Sequence, residues 1–120
     1  MNLSKHAYVN LLHILIIVPV IIWIYVKSIN KELTDTICQP FLYVGVIGIL
    51  YHIYLCSKKL MENRECWRCW VNYIHIFLVF PLFIYIGYNC AETERRYFEM
   101  LLLLGIAAGG YHVMNLVRYG

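Results

Sequence analysis

Hydrophobic residues run along this chain in four long blocks, 6–26, 36–57, 69–91 and 100–117, and none of them contains Asp, Glu, Lys or Arg. The blocks are 18 to 23 residues long, the length a helix needs to cross a hydrocarbon core of about 30 Å. In lipid every backbone polar group must be satisfied within its own segment, so such blocks can only be helices. The pattern predicts spans at about 8–26, 40–56, 70–89 and 98–117. The connections are short, roughly 8–13 residues, which makes sequential helices antiparallel neighbours in one compact all-α four-helix bundle. Pro40 opens the second span, a tolerated place. Pro19 and Pro81 fall inside the first and third spans, where each removes a backbone hydrogen bond and should kink its helix.

Composition narrows the class further. Of 120 residues 62% are hydrophobic and 14% charged, with a net charge of +3, and the mean hydropathy is +0.64. That balance argues against a soluble enzyme, a disordered tail, a disulfide-rich secreted module and a nucleic-acid binder. The bases sit between spans instead of along one face, so the partners to expect are the lipid bilayer and other membrane proteins, a second copy of the chain among them. The first block is too long for the apolar region of a signal peptide and no small-residue cleavage site follows it, so it is read as a retained span.

The third span repeats the first. Asn10, His13 and Pro19 recur as Asn72, His75 and Pro81 at an offset of 62. The fourth repeats the second at an offset of 60: Gly45, Gly48, Tyr51 and His52 align with Gly105, Ala108, Tyr111 and His112. Apolar matches are cheap in such a chain, but Asn, His and Pro are scarce here. This is a tandem duplication of a two-helix hairpin, 1–60 and 61–120, with both copies inserted in one orientation and a pseudo-twofold axis along the membrane normal.

The duplication places one histidine in each span. His13 and His75 lie just inside the starts of their helices, and His52 and His112 just before the ends of theirs. Odd and even helices run in opposite directions, so all four belong to one layer, roughly 7–9 Å below one membrane edge at 1.5 Å of rise per residue. Asn10 with His13, and Asn72 with His75, are three apart and share a face. Gly45 and Gly48 lie on the face of His52, and Gly105 and Ala108 on that of His112. Small residues mark close approach of another helix or of something flat. Polar groups inside a membrane face the bundle interior.

Three readings compete for this layer. As a ligand site it would bind b-type haem between two histidines, with His13/His75 and His52/His112 as the symmetry-matched pairs, or one transition metal ion on all four. Gly45, Gly48, Gly105 and Ala108 would then leave room for a porphyrin, and Asn10, Asn72, Tyr51 and Tyr111 would orient the imidazoles. Alternatively the layer is a polar clamp that fixes helix packing in a structural or assembly protein. In the third reading it conducts protons or ions. No acidic residue lies in any of the four charge-free blocks, which argues against a carboxylate-bridged metal pair. No nucleophile stands beside a base, and no phosphate loop is present, which argues against an enzyme.

On the histidine side lie Lys5, Lys58, Lys59, Arg64, Arg68 and Arg118, and opposite them Lys27, Lys31, Arg95 and Arg96. The positive-inside rule therefore makes the histidine side and both termini cytoplasmic. Cys56, Cys66 and Cys69 fall on that reducing side. Cys38 and Cys90 both sit near the other edge, where a disulfide could join the two halves. Cys66-Trp67-Arg68-Cys69 has the spacing of a zinc or redox motif but lacks the second ligand pair that would make it specific. Trp23, Tyr25, Trp67, Trp70, Tyr88, Tyr97 and Tyr119 fall near span ends, the depth of an aromatic belt.

Asn10–His13–Pro19 followed by Tyr51–His52, and Asn72–His75–Pro81 followed by Tyr111–His112, form a pattern that resembles small multi-span membrane proteins encoded by large nucleocytoplasmic DNA viruses. The resemblance extends over all four spans. It implies a virus-encoded or virion-membrane protein, and it carries no catalytic residue over.

Overall fold

The computed structural model describes residues 4–62 and 69–119, and over these the chain is all-α. Among the described residues four helices are long and apolar enough to cross a membrane: α1 (Lys5–Ile29), α2 (Asp35–Met61), α3 (Cys69–Glu92) and α4 (Arg95–Tyr119). Each extends past its charge-free block into polar residues, which helix ends in water tolerate. The Ser4 hydroxyl accepts from the Ala7 N–H at 3.1 Å and starts α1. Asp35 sits in the first turn of α2, and Lys58 and Lys59 in its last, each at the end where the helix dipole favours its charge. Helix α2 thus begins five residues earlier than the sequence pattern places it, and Pro40 is inside it and not at its start.

Pro19 and Pro81 do not act by a simple kink. One turn ahead of each, the backbone widens into a π turn, His13–Ile17 in α1 and His75–Val79 in α3. The Val18 N–H bonds the His13 carbonyl five residues back, and the Phe80 N–H bonds that of His75. A proline has no N–H, and its ring collides with the carbonyl four residues earlier; the wider turn relieves that collision. Both π turns begin on the histidine.

The helices pack as two units, each taking one helix from each sequence repeat. In the first unit α1 lies antiparallel on α4, and in the second α2 lies antiparallel on α3. The packing units are therefore not the sequence hairpins 1–60 and 61–120. In the first unit Ile24 and Leu101 are buried, and a Cβ at Gly105 would stand 2.7 Å from Ile21. In the second unit the approach is closer still: a Cβ at Gly87 would lie 2.7 Å from the N, Cα and Cβ of Leu42. Phe41 and Phe83 stack between these helices at 4.5 Å. Near the end away from the histidines, Cys38 and Cys90 form a disulfide, with Cα atoms 5.7 Å apart. Large side chains such as Leu15, Ile47, Phe77 and Leu103 stay exposed, as lipid-facing positions do.

Helix α1 ends in a Schellman turn: Glu32 N–H bonds the Lys27 carbonyl at 2.9 Å and Lys31 N–H bonds that of Ser28 at 3.2 Å. Lys31 holds the left-handed position of this turn, with φ 56°. Glycine takes that conformation without a Cβ penalty. Lys31→Gly should therefore stabilise the protein by about 0.5 kcal/mol and raise the unfolding midpoint, and Lys31→Val should destabilise it by about 1–2 kcal/mol and lower the midpoint. Thermal unfolding of both variants in one detergent checks the opposite signs.

Candidate functional site

In the first unit, Asn10 and His13 project from the opening of α1 toward the end of α4. The His112 Nδ1–H donates to Asn10 Oδ1 at 2.8 Å, and both residues are buried. The His13 Nδ1–H donates instead to its own helix, to the Val9 carbonyl at 2.8 Å. The two imidazoles stack, with centroids 4.1 Å apart and planes within 19°. Tyr111 meets His112 edge-on at 5.2 Å.

The second unit builds the same group from the other halves of the repeats. The His52 Nδ1–H donates to Asn72 Oδ1 at 3.0 Å, and the His75 Nδ1–H donates to the Val71 carbonyl at 2.6 Å. His52 and His75 stack at 4.4 Å and 11°, and Tyr51 stands edge-on to His52 at 5.6 Å. Phe80 adds a ring absent from the first unit, 5.4 Å from His52 and 5.6 Å from His75. Asn72 is almost wholly buried, and its Nδ2 has no hydrogen-bond partner among the described residues.

These bonds fix the chemistry of the rings. All four Nδ1 atoms face an oxygen that can only accept, so each carries its proton on Nδ1, and in the neutral ring the lone pair is on Nε2. This is the tautomer that a metal-ligating histidine adopts when a carbonyl orients it. The stacking pulls the other way. An imidazole lone pair lies in the plane of its ring, so two near-parallel stacked rings do not aim theirs at one point between them. Two imidazoles on opposite sides of an iron would hold their nitrogens about 4 Å apart with the metal between them, whereas here the ring centroids themselves are 4.1 and 4.4 Å apart.

No protein family, no curated protein and no solved structure matches this chain. The site therefore speaks through its own geometry.

The structure brings together the histidines that the sequence singles out, but in other pairs. His13 meets His112 and His52 meets His75, in place of the symmetry-matched His13/His75 and His52/His112. Asn10 and Asn72 bond the histidine of the partner helix, not the one three residues along. The space beside the glycines is already filled. A Cβ at Gly45 would fall 2.9 Å from Ile84, one at Gly48 2.3 Å from the Phe80 ring and one at Gly105 2.7 Å from Ile21, so partner side chains stand where a porphyrin was expected. Ala108 is half-buried. Among the described residues, no three His, Cys, Asp or Glu gather to hold a metal ion. Cys56 is a buried free thiol, whereas Cys69, assigned by charge to the reducing side, is disulfide-bonded. Cys66, Trp67, Arg64 and Arg68 lie outside the described residues.

Sequence reasoning missed the π turns, the stacking and Gly87. A lone glycine in an otherwise bulky span was the available signal for the last of these.

Proposed function

We propose that this is a multi-pass integral membrane protein with a structural or assembly role, in a cellular or virion membrane. Its histidine–asparagine groups serve as polar clamps that lock α1 to α4 and α2 to α3. One observation carries this reading: the same Asn–His bond between partner helices, with the same stacked second imidazole, is built twice from different segments of the chain. A hydrogen bond between membrane helices averages about 0.6 kcal/mol. Such a clamp therefore specifies register and partner more than it stabilises. Pinning the imidazoles to oxygens on one side also removes the rotamer freedom that would let either helix slide.

A second reading, binding of b-type haem or a transition metal ion, is favoured by one feature, the Nδ1-protonated tautomer held by a carbonyl at every histidine. For haem, one ring of a pair would have to swing out of its stack. A reduced-minus-oxidised absorption spectrum with metal analysis on the purified protein decides between the two. The clamp reading expects a colourless, metal-free protein, and His52→Ala with His112→Ala lowering the unfolding midpoint by several degrees without touching any spectrum. A Soret band, or about one metal ion per imidazole pair, lost in that double variant, would overturn it.

A further inference from the structure

We infer that the fit of Phe80 against Gly48 is a pairing code, which directs α3 to α2 and thereby leaves α1 for α4. A code is needed because the duplication makes the choice ambiguous. Helices α1 and α3 carry the same Asn-x-x-His half of the clamp, and α2 and α4 carry the same histidine half behind a small-residue face. Pairing within the hairpins, α1 with α2 and α3 with α4, would offer the same two Asn–His bonds, Asn10 to His52 and Asn72 to His112. The chain adopts the other solution.

On the clamp faces the repeats differ in size at several matched positions, and two of these meet beside the histidines of the second unit. Helix α3 carries Phe80 where α1 carries Val18, and α2 carries Gly48 where α4 carries Ala108. A Cβ added to Gly48 would lie 2.3, 2.4 and 2.7 Å from Cε1, Cζ and Cδ1 of Phe80. The ring cannot easily retreat, because His52, His75 and Phe83 stand around it at 5.4, 5.6 and 5.7 Å between centroids. An alanine-bearing partner such as α4 would therefore exclude Phe80, whereas Val18, which ends in two methyls on its Cβ, is the shorter side chain that α4 can accept, its methyls 3.7 and 3.8 Å from where a Cβ on Gly109 would stand. Specificity built from a clash against the wrong partner, and not only from contacts with the right one, is how closely related interfaces are kept apart. The disulfide follows the same choice. Cys90 of α3 bonds Cys38 of α2, while the position of α4 that matches Cys38 is Phe98. Covalent closure can thus record only the pairing that the ring has selected.

This inference builds on the clamp reading, and its test leaves all four histidines in place so that the two can fail separately. The Cys38–Cys90 bond reports the pairing in the full chain, read as the fraction of chains whose two thiols resist alkylation under non-reducing conditions. Exchanging the code, Gly48→Ala with Ala108→Gly, should cut the bridged fraction to less than half while the helical content survives. Ala108→Gly alone should leave it unchanged. Gly48→Ala alone should lower both bridging and the unfolding midpoint, and adding Phe80→Val should restore the midpoint by matching the sizes again. Undiminished bridging in the exchange variant would reduce the contact to local packing and overturn the code. If the exchange variant does not fold, failure of Phe80→Val to rescue Gly48→Ala overturns it equally.

Discussion

Gly87→Leu is expected to unseat α2 from α3. The Cβ alone, placed 2.7 Å from backbone atoms of Leu42, meets a part of the chain that cannot rotate aside, so the helices must move apart. Overpacking of this kind costs about 1–3 kcal/mol for a small excess and more for a whole isobutyl group. Gly87→Ala carries a partial offset of about 1 kcal/mol from its better helix propensity, and should lose about 1–2 kcal/mol net. Gly110 supplies the control, since a Cβ there meets nothing within 4 Å among the described residues; Gly110→Ala should be neutral or slightly stabilising. Because Cys90 lies one turn beyond Gly87, separation of the helices should also reduce formation of the Cys38–Cys90 bond. Thermal unfolding in detergent and thiol titration read the two consequences independently. A Gly87→Leu protein that unfolds at the wild-type midpoint with its bridge complete would mean that α2 and α3 do not pack as closely as described.

Much of this arrangement could be read from residues, and the boundary is physical. Charge placement fixed the spans, because a charge inside hydrocarbon is expensive wherever it stands. It did not fix their ends: Asp35, Lys58 and Lys59 are compatible with helix and with water, so the helices run on past the apolar edge. Helical periodicity placed Asn10 on the face of His13 and Gly48 on that of His52, since a three- or four-residue spacing does not depend on the neighbour. It could not say which neighbour. His52 and His112 occupy equivalent positions, and a size difference such as that at Phe80 and Gly48 has no weight until the two are known to touch. The π turns were hidden for another reason. Proline announces a lost hydrogen bond, but whether the chain answers with a kink or with a wider turn is decided by the backbone around His13 and His75.

Asn10→Leu should destabilise the first unit more than the loss of one hydrogen bond would suggest. His112 and Asn10 are 6% and 5% exposed, so removing the acceptor strands a buried Nδ1–H, a penalty of about 1–3 kcal/mol. Replacing both partners by apolar groups of similar shape, Asn10→Leu with His112→Phe, should recover most of that loss, because the net worth of such a bond in a membrane is only about 0.6 kcal/mol. A double-mutant cycle on the unfolding free energy should therefore show coupling of about 1–2 kcal/mol, with the double variant more stable than the sum of the singles allows. Strictly additive singles would mean that Asn10 and His112 do not depend on each other, and the clamp reading would fall for this unit. Coupling of the expected size separates two roles that a stability measurement on single variants confuses. A stable double variant keeps the fold without its polar group, so any function it then loses belongs to the imidazole itself and not to the packing that the imidazole secures.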